Sequence, residues 1–185
     1  MDRKRERALI QAAQAGDKRA FTLLYRAYVD KIYRYILYRV TTPETAEDLT
    51  SEVFLRMVEG LPTYEDRAIP LLVWLYRIAH ARVVDYYRRT KRGRDDEDID
   101  SVEIGTDPDL DAPLTAAYES AHLQQALLTL TDGQKQVIVL RFVEGFNLEN
   151  TAKIMGKTVD AVKAMQYRAL QALAQALRAQ GFNAE

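Results

Sequence analysis

The chain has 185 residues, 48% hydrophobic and 29% charged, with a formal net charge of −1, the make-up of a globular protein of one or two domains. It contains no Cys and only two His, His80 and His122, far apart in sequence. Disulfides, thiolate metal sites and Cys nucleophiles are excluded, and a His-based metal centre or triad has no support. No run approaches the ~18 apolar residues of a membrane span, and the start MDRKRERALI lacks the apolar core of a secretion signal. These features predict an intracellular binding protein, with no cofactor, no membrane insertion and no enzymatic activity.

The charge is unevenly spread. Residues 1–92 carry a net charge of +6, residues 93–122 of −9, and residues 123–185 of +2. The acidic segment RDDEDIDSVEIGTDPDLDAP is too poor in apolar residues to order itself and reads as a linker. The expected organisation is therefore a domain over 1–92, a linker over 93–122 and a second domain over 123–185.

Helical signals occupy both flanks. Asp17 is an N-cap for a helix to about Val40, with Phe21, Leu24, Tyr25, Tyr28, Ile32, Tyr35 and Ile36 at helical spacing. Thr42-Pro43 reads as N-cap and first turn of the next helix, with acids near its positive end, and Gly60-Leu61-Pro62 stops it. Pro70 opens a helix that ends before Gly93, and Pro113 another to about Leu130. Thr131 and Gln134 match a capping box. Asn147 caps the short helix LENTAKIM, Gly156-Lys157-Thr158 is a turn, and a last helix spans Val159 to about Ala179. With no convincing strand alternation, the fold expectation is all-α: two small helical domains.

Short helix, Gly-containing turn and longer helix form a helix-turn-helix order. On the longer helix Val159, Val162, Gln166, Leu170, Leu173 and Leu177 share one stripe. Ala161, Ala164, Tyr167 and Arg168 share the other, with Lys163 at its edge. Its alanines permit close approach to a groove, Lys163, Tyr167 and Arg168 can reach bases or phosphates, and Thr158 and the first free N–H groups can hold a phosphate. An αα-hairpin with a wet outer face is the bland alternative.

In the helix from Pro70, Leu72, Leu75, Tyr76, Ala79, Val83 and Tyr86 form an inward stripe. Trp74, Arg77, His80, Ala81, Val84, Arg88, Lys91 and Arg92 form an outward one. Cations that track a backbone beside an aromatic that stacks a base suit an unpaired strand, and Tyr64 adds a second stacking surface. Core packing of Trp74 is the bland alternative. The helix before it places Asp48 and Glu52 four residues apart, beside Phe54 and Met57. With no His, metal motif or Gly-rich loop nearby, a protein-docking face needs fewer assumptions than acid–base chemistry.

As a set, AEDLTSEVF (46–54), WLYRIAHARVVDYYRR (74–89) and LTDGQKQVIVLRFVEGFNLENTAKIMGKTVDAVKAMQYRALQAL (130–173) resemble the bacterial sigma-70 family, and most of all its short extracytoplasmic-function factors. The resemblance implies region 2 at about 15–92 and region 4 at about 123–180, with the acidic stretch in place of region 3. It implies that Asp48, Leu49, Glu52 and Phe54 bind core RNA polymerase. It implies that Tyr64, Trp74, Arg77, His80, Arg82 and Arg88 melt and capture the −10 element. It implies that Lys157, Thr158, Lys163, Ala164, Tyr167 and Arg168 read the −35 duplex. Core polymerase, promoter DNA and an anti-sigma factor are the implied partners, and the bacterial cytoplasm the implied location. The sequence departs from the pattern at Ser51, Ala81 and Met165, where the family often has Gln, Asn and Arg. Ala81 and Met165 thereby lack a base-reading and a DNA-contacting side chain. A stand-alone helix-turn-helix regulator and an all-α adaptor remain as alternatives.

Overall fold

A computed structural model of the chain describes residues 2–65, 69–92, 126–127 and 129–179. The chain divides into two compact units, Met1–Val102 and Glu103–Glu185. The acidic stretch from residue 93 to residue 122, and most of the helix expected from Pro113, lie outside the described residues.

The first unit consists of α1 (Arg3–Gln14), α2 (Lys18–Leu37), α3 (Pro43–Gly60), a 3-10 turn (Leu61–Thr63) and α4 (Leu71–Arg92). Asp17 caps α2 as expected, accepting from the backbone N–H groups of Arg19 and Ala20 at 2.8 and 3.3 Å. This helix stops at Leu37, short of Val40, because the chain tightens there: the amides of Arg39 and Val40 both donate to the Ile36 carbonyl, at 2.8 and 3.1 Å. Thr42 caps α3 and Pro43 fills its first turn. The core joins Leu24, Ile32, Tyr35 and Ile36 of α2 to Val53 and Met57 of α3 and to Leu71, Leu75, Tyr76, Ala79 and Val83 of α4. Tyr35 and Tyr76 meet edge to face, with ring centroids 5.0 Å apart, the arrangement their quadrupoles favour. Leu72 and Tyr86, expected inward, are only half-buried, while Val73 is buried.

α1 has no counterpart among the elements expected from sequence. It buries Ile10, and its Glu6 accepts a hydrogen bond from the Tyr28 hydroxyl of α2. Burial and the neighbouring Glu6 carboxylate push the Tyr28 phenol well above its ordinary range, so this anchor stays protonated at neutral pH.

The second unit contains α5 (Asp132–Ile138), a π-helical turn (Val139–Val143), α6 (Leu148–Met155) and α7 (Val159–Ala179). The Thr131–Gln134 capping box forms with both of its hydrogen bonds. In the π turn the Glu144 amide donates to the Val139 carbonyl, five residues back, at 2.9 Å. Asn147 caps α6 through the Asn150 amide at 2.8 Å. Gly156 ends α6 at φ +62°, a left-handed conformation that glycine adopts without penalty. Val137, Ile138, Val139, Leu140, Ala152, Ile154, Met155, Val162 and Ala169 build the core. The inward seam of α7 is thus Val162, Met165, Gln166, Ala169 and Leu173. Leu170, expected inward, is exposed, and its neighbour Ala169 is the residue fully buried on that turn.

The burial pattern sets a stability contrast between neighbouring helix positions. Ile32→Ala should lower the free energy of unfolding by ~2–5 kcal/mol in urea titrations, because Ile32 is fully enclosed. Leu23→Ala, on the wet side of the same helix, should change it by less than about 0.5 kcal/mol.

Candidate functional site

Trp74 projects from the first turns of α4 and is half-buried. It lies against Gly60 at the end of α3, where an added Cβ would stand 2.9 Å from its Cζ2. Its ring centroid is 5.1 Å from that of Tyr64, and the Tyr64 hydroxyl donates to the Ile69 carbonyl at 2.5 Å. Gly60, Thr63, Tyr64, Glu65, Ile69 and Trp74 line an open recess of about 360 Å³. Two aromatic rings at the mouth of such a recess, with backbone polar groups around them, can stack and hydrogen-bond a planar base.

The basic residues expected on this face divide into two groups. Arg77 and Arg88 are exposed. Arg82 is engaged instead: its guanidinium pairs with Asp85 at 2.8 Å and reaches Glu52 of α3 at 3.9 Å. His80 is half-buried, and its Nδ1 lies 3.2 Å from Nη1 of Arg39. A guanidinium only donates, so Nδ1 of His80 accepts and carries no proton in this contact.

Arg39 is a residue that sequence reasoning missed. It is 3% exposed, and a buried charge is tolerated only when hydrogen-bonded. It donates to the Tyr35 hydroxyl at 2.8 Å and to His80, and its carbonyl accepts from the Tyr87 hydroxyl. The available signal was the Tyr35–Arg39 spacing of four, although Arg39 itself lies just past the end of α2.

Two of the four residues expected on the α3 face belong to the core. Asp48 and Glu52 are exposed, but Leu49 and Phe54 are 6% and 5% exposed. Phe54 packs edge-on against Tyr25, with centroids 4.7 Å apart. The reason is helical phase: residues 49, 53 and 57 share the inward stripe, and Phe54 adjoins it. The apolar groups that accompany the two carboxylates outside are Leu55 and Val58, 59% and 50% exposed.

On α7, Lys163, Ala164, Tyr167 and Arg168 all lie on the exposed side, with Lys157 exposed just before the helix. Tyr167, 65% exposed, is the most open of the large apolar side chains described. Lys163 faces Asp160 at 3.6 Å on the surface, and Nε of Arg168 leans back toward the Ala164 carbonyl at 3.3 Å. Thr158 acts first as the helix N-cap, its Oγ1 accepting from the Ala161 amide at 3.2 Å. Met165 points inward, where its Cε meets the space beside Gly133. The side chain at this position is used for packing. Arg141 braces the same helix through Gln166 at 2.9 Å and also donates to the Phe146 carbonyl.

The family model for Sigma-70 region 2 matches residues 24–93, and that for Sigma-70, region 4 matches residues 126–175. The chain belongs to the sigma-70 family. Its similarity is to the extracytoplasmic-function (ECF) group. It is 37% identical to the ECF RNA polymerase sigma factor BldN of Streptomyces coelicolor, over 95% of this chain and 67% of the relative. It is 33% identical to the ECF RNA polymerase sigma factor SigD of Mycobacterium tuberculosis, over 98% of this chain and 88% of the relative. Among solved structures, the fold is shared with the sigma factor RpoE in complex with the anti-sigma factor NepR from Bartonella quintana (TM-score 0.75, 20% identity, 85% of this chain and 96% of that one). It is also shared with CnrH in complex with the cytosolic domain of CnrY (TM-score 0.72, 23% identity, 95% and 98%). The function is that of the ECF group: this sigma factor binds core RNA polymerase and directs promoter-specific initiation of transcription. No described helix is long and apolar enough to cross a membrane.

The contact between Gly60 and Trp74 gives this sigma factor a spectroscopic test. Gly60→Ala should displace the indole and shift the emission of Trp74, the chain's single Trp, in steady-state fluorescence. Far-UV circular dichroism should show the helices intact.

Proposed function

We propose a division of labour for this sigma factor over the spans 1–92, 93–122 and 123–185. The first span grips core polymerase with the outer face of α3, through Asp48 and Glu52 with Leu55 and Val58. It traps the unpaired −10 strand with Tyr64, Trp74, Arg77 and Arg88. The last span reads the −35 duplex with Lys157, Lys163, Ala164, Tyr167 and Arg168, while Thr158 fixes the start of the reading helix. The acidic span between them serves as the tether. No covalent step is assigned to the chain; it acts through binding energy on a catalyst that polymerase supplies.

The observation that carries this reading is the Tyr64–Trp74 pair at the recess, with Trp74 on a helix that also carries the exposed Arg77 and Arg88. A stand-alone duplex reader has no use for it. Charge supports the same view: a net of +2 over residues 123–185 supplies few phosphate contacts, so duplex reading needs the affinity that polymerase lends. His80 and Arg82 enter as supports in this scheme, since Arg39 and the pair Asp85 and Glu52 already hold them. An anti-sigma partner is part of the proposal, on the strength of the complexes with NepR and CnrY. So is a cytoplasmic location, where polymerase works.

Run-off transcription with purified core polymerase on genomic fragments tests the whole scheme: discrete starts that depend on this chain are expected, and none at any fragment refutes it. Asp48→Arg should abolish co-purification with core polymerase, because it reverses the charge of the docking face. Arg168→Ala should weaken promoter binding by the holoenzyme by ~1–3 kcal/mol if the guanidinium makes a bidentate base contact. Footprinting at the upstream element measures that loss, and unchanged occupancy removes the role.

A further inference from the structure

We propose that Gln14, the last residue of α1, is a positioning residue for strand capture: its amide holds the Leu61–Tyr64 segment so that the Tyr64 ring stays against Trp74. The inference rests on the reading of Tyr64 and Trp74 as strand contacts. It adds an element that lies outside the matched region 2, which begins at residue 24.

The geometry is specific. Nε2 of Gln14 donates to the Leu61 carbonyl at 3.0 Å and to the Tyr64 carbonyl at 2.8 Å, across 47 and 50 residues of sequence. Both partners are carbonyl oxygens, which only accept, so the NH2 end of the amide must face them. These two carbonyls bracket the 3-10 turn: that of Leu61 also accepts from the Tyr64 amide at 3.1 Å, and that of Tyr64 lies just past the turn's end. One side chain therefore fixes both ends of the turn.

The donor is itself held firmly. α1 ends at Gln14, and Gly16, at φ +91°, reverses the chain. The Gly16 amide donates to Ala13 and the Asp17 amide to Ala12, each at 3.0 Å, and Asp17 then caps α2. The Glu6–Tyr28 hydrogen bond pins α1 to α2 about two turns earlier. At the far end, the Tyr64 hydroxyl is tied to the Ile69 carbonyl. Tyr64 is thus anchored by its carbonyl through Gln14 and by its hydroxyl through Ile69, with its ring fixed against Trp74 between them. A stacking surface ordered before the strand arrives loses less entropy on capture.

The test uses full-length protein and reconstituted holoenzyme. Gln14→Ala removes the donor; Gln14→Glu keeps the length but sets a carboxylate against two carbonyls. Trp74→Ala runs beside them. Three quantities are read: Trp74 emission, holoenzyme affinity for duplex promoter, and the rate at which −10 thymines become permanganate-reactive. Both Gln14 variants should shift the emission and slow melting by roughly three- to tenfold, the loss of one or two hydrogen bonds, with duplex affinity unchanged. If Trp74→Ala slows melting and the Gln14 variants do not, the positioning role is overturned and the strand reading stands. If Trp74→Ala melts the promoter at the parental rate, the strand reading falls and the proposal with it. If duplex affinity drops in step with melting in both Gln14 variants, Gln14 is merely structural and the proposal is overturned.

Discussion

Burial of one stripe of α4 is the constraint on which the first unit depends. Leu71, Leu75, Tyr76, Ala79 and Val83 are closed off completely against α2 and α3. Each fully buried aliphatic or aromatic side chain contributes ~1.5–3 kcal/mol, so the helix needs nothing from its other side to stay in place. That side can then carry exposed arginines and a half-open Trp, residues that would be poor at holding a fold. Arg39 marks the limit of this freedom. It is a cation inside the packing surface, tolerated because Tyr35 and His80 take its hydrogen bonds.

The second unit solves the same problem with less material. α7 buries only Val162 and Ala169 outright. Its angle is set by small contacts: Met165 beside Gly133, Gln166 against Arg141, and the left-handed Gly156 at the corner. A thin seam leaves most of the helix surface wet, as a groove-reading helix requires. It also makes each contact in the seam matter more, because no large core compensates for its loss.

Much of this was legible in the sequence, and the legible parts share a cause. Asp17, Thr42, Thr131 and Asn147 cap helices where the sequence put caps, because a cap is a local hydrogen bond between near neighbours. The motif blocks led to the family in the same way. What failed depends on contacts that sequence does not display. Leu49 and Phe54 look like partners of Asp48 and Glu52 along the chain, yet helical phase sends them inward. Leu170 lost its place in the seam to Ala169, a smaller residue with less hydrophobic signal. α1 escaped notice because only Ile10 on it is fully buried, and its hydrogen bonds, Gln14 to the 3-10 turn and Glu6 to Tyr28, join residues far apart in sequence. His80 stood in the outward stripe and Arg82 entered through the family resemblance, and only their neighbours on other turns and helices reveal them as engaged.

The π turn at Val139–Val143 has an effect beyond its five residues. Such a turn holds one residue more than a regular winding, so everything after it is rotated by about 100° from where a continuous α-helix would have put it. Phe142 and Val143, within the turn, are 55% and 45% exposed. Loss of a single residue in this stretch would not simply shorten a loop. It would rewind the segment, swing a phenyl ring to a new bearing, and throw the Asn147 cap out of phase with the helix before it.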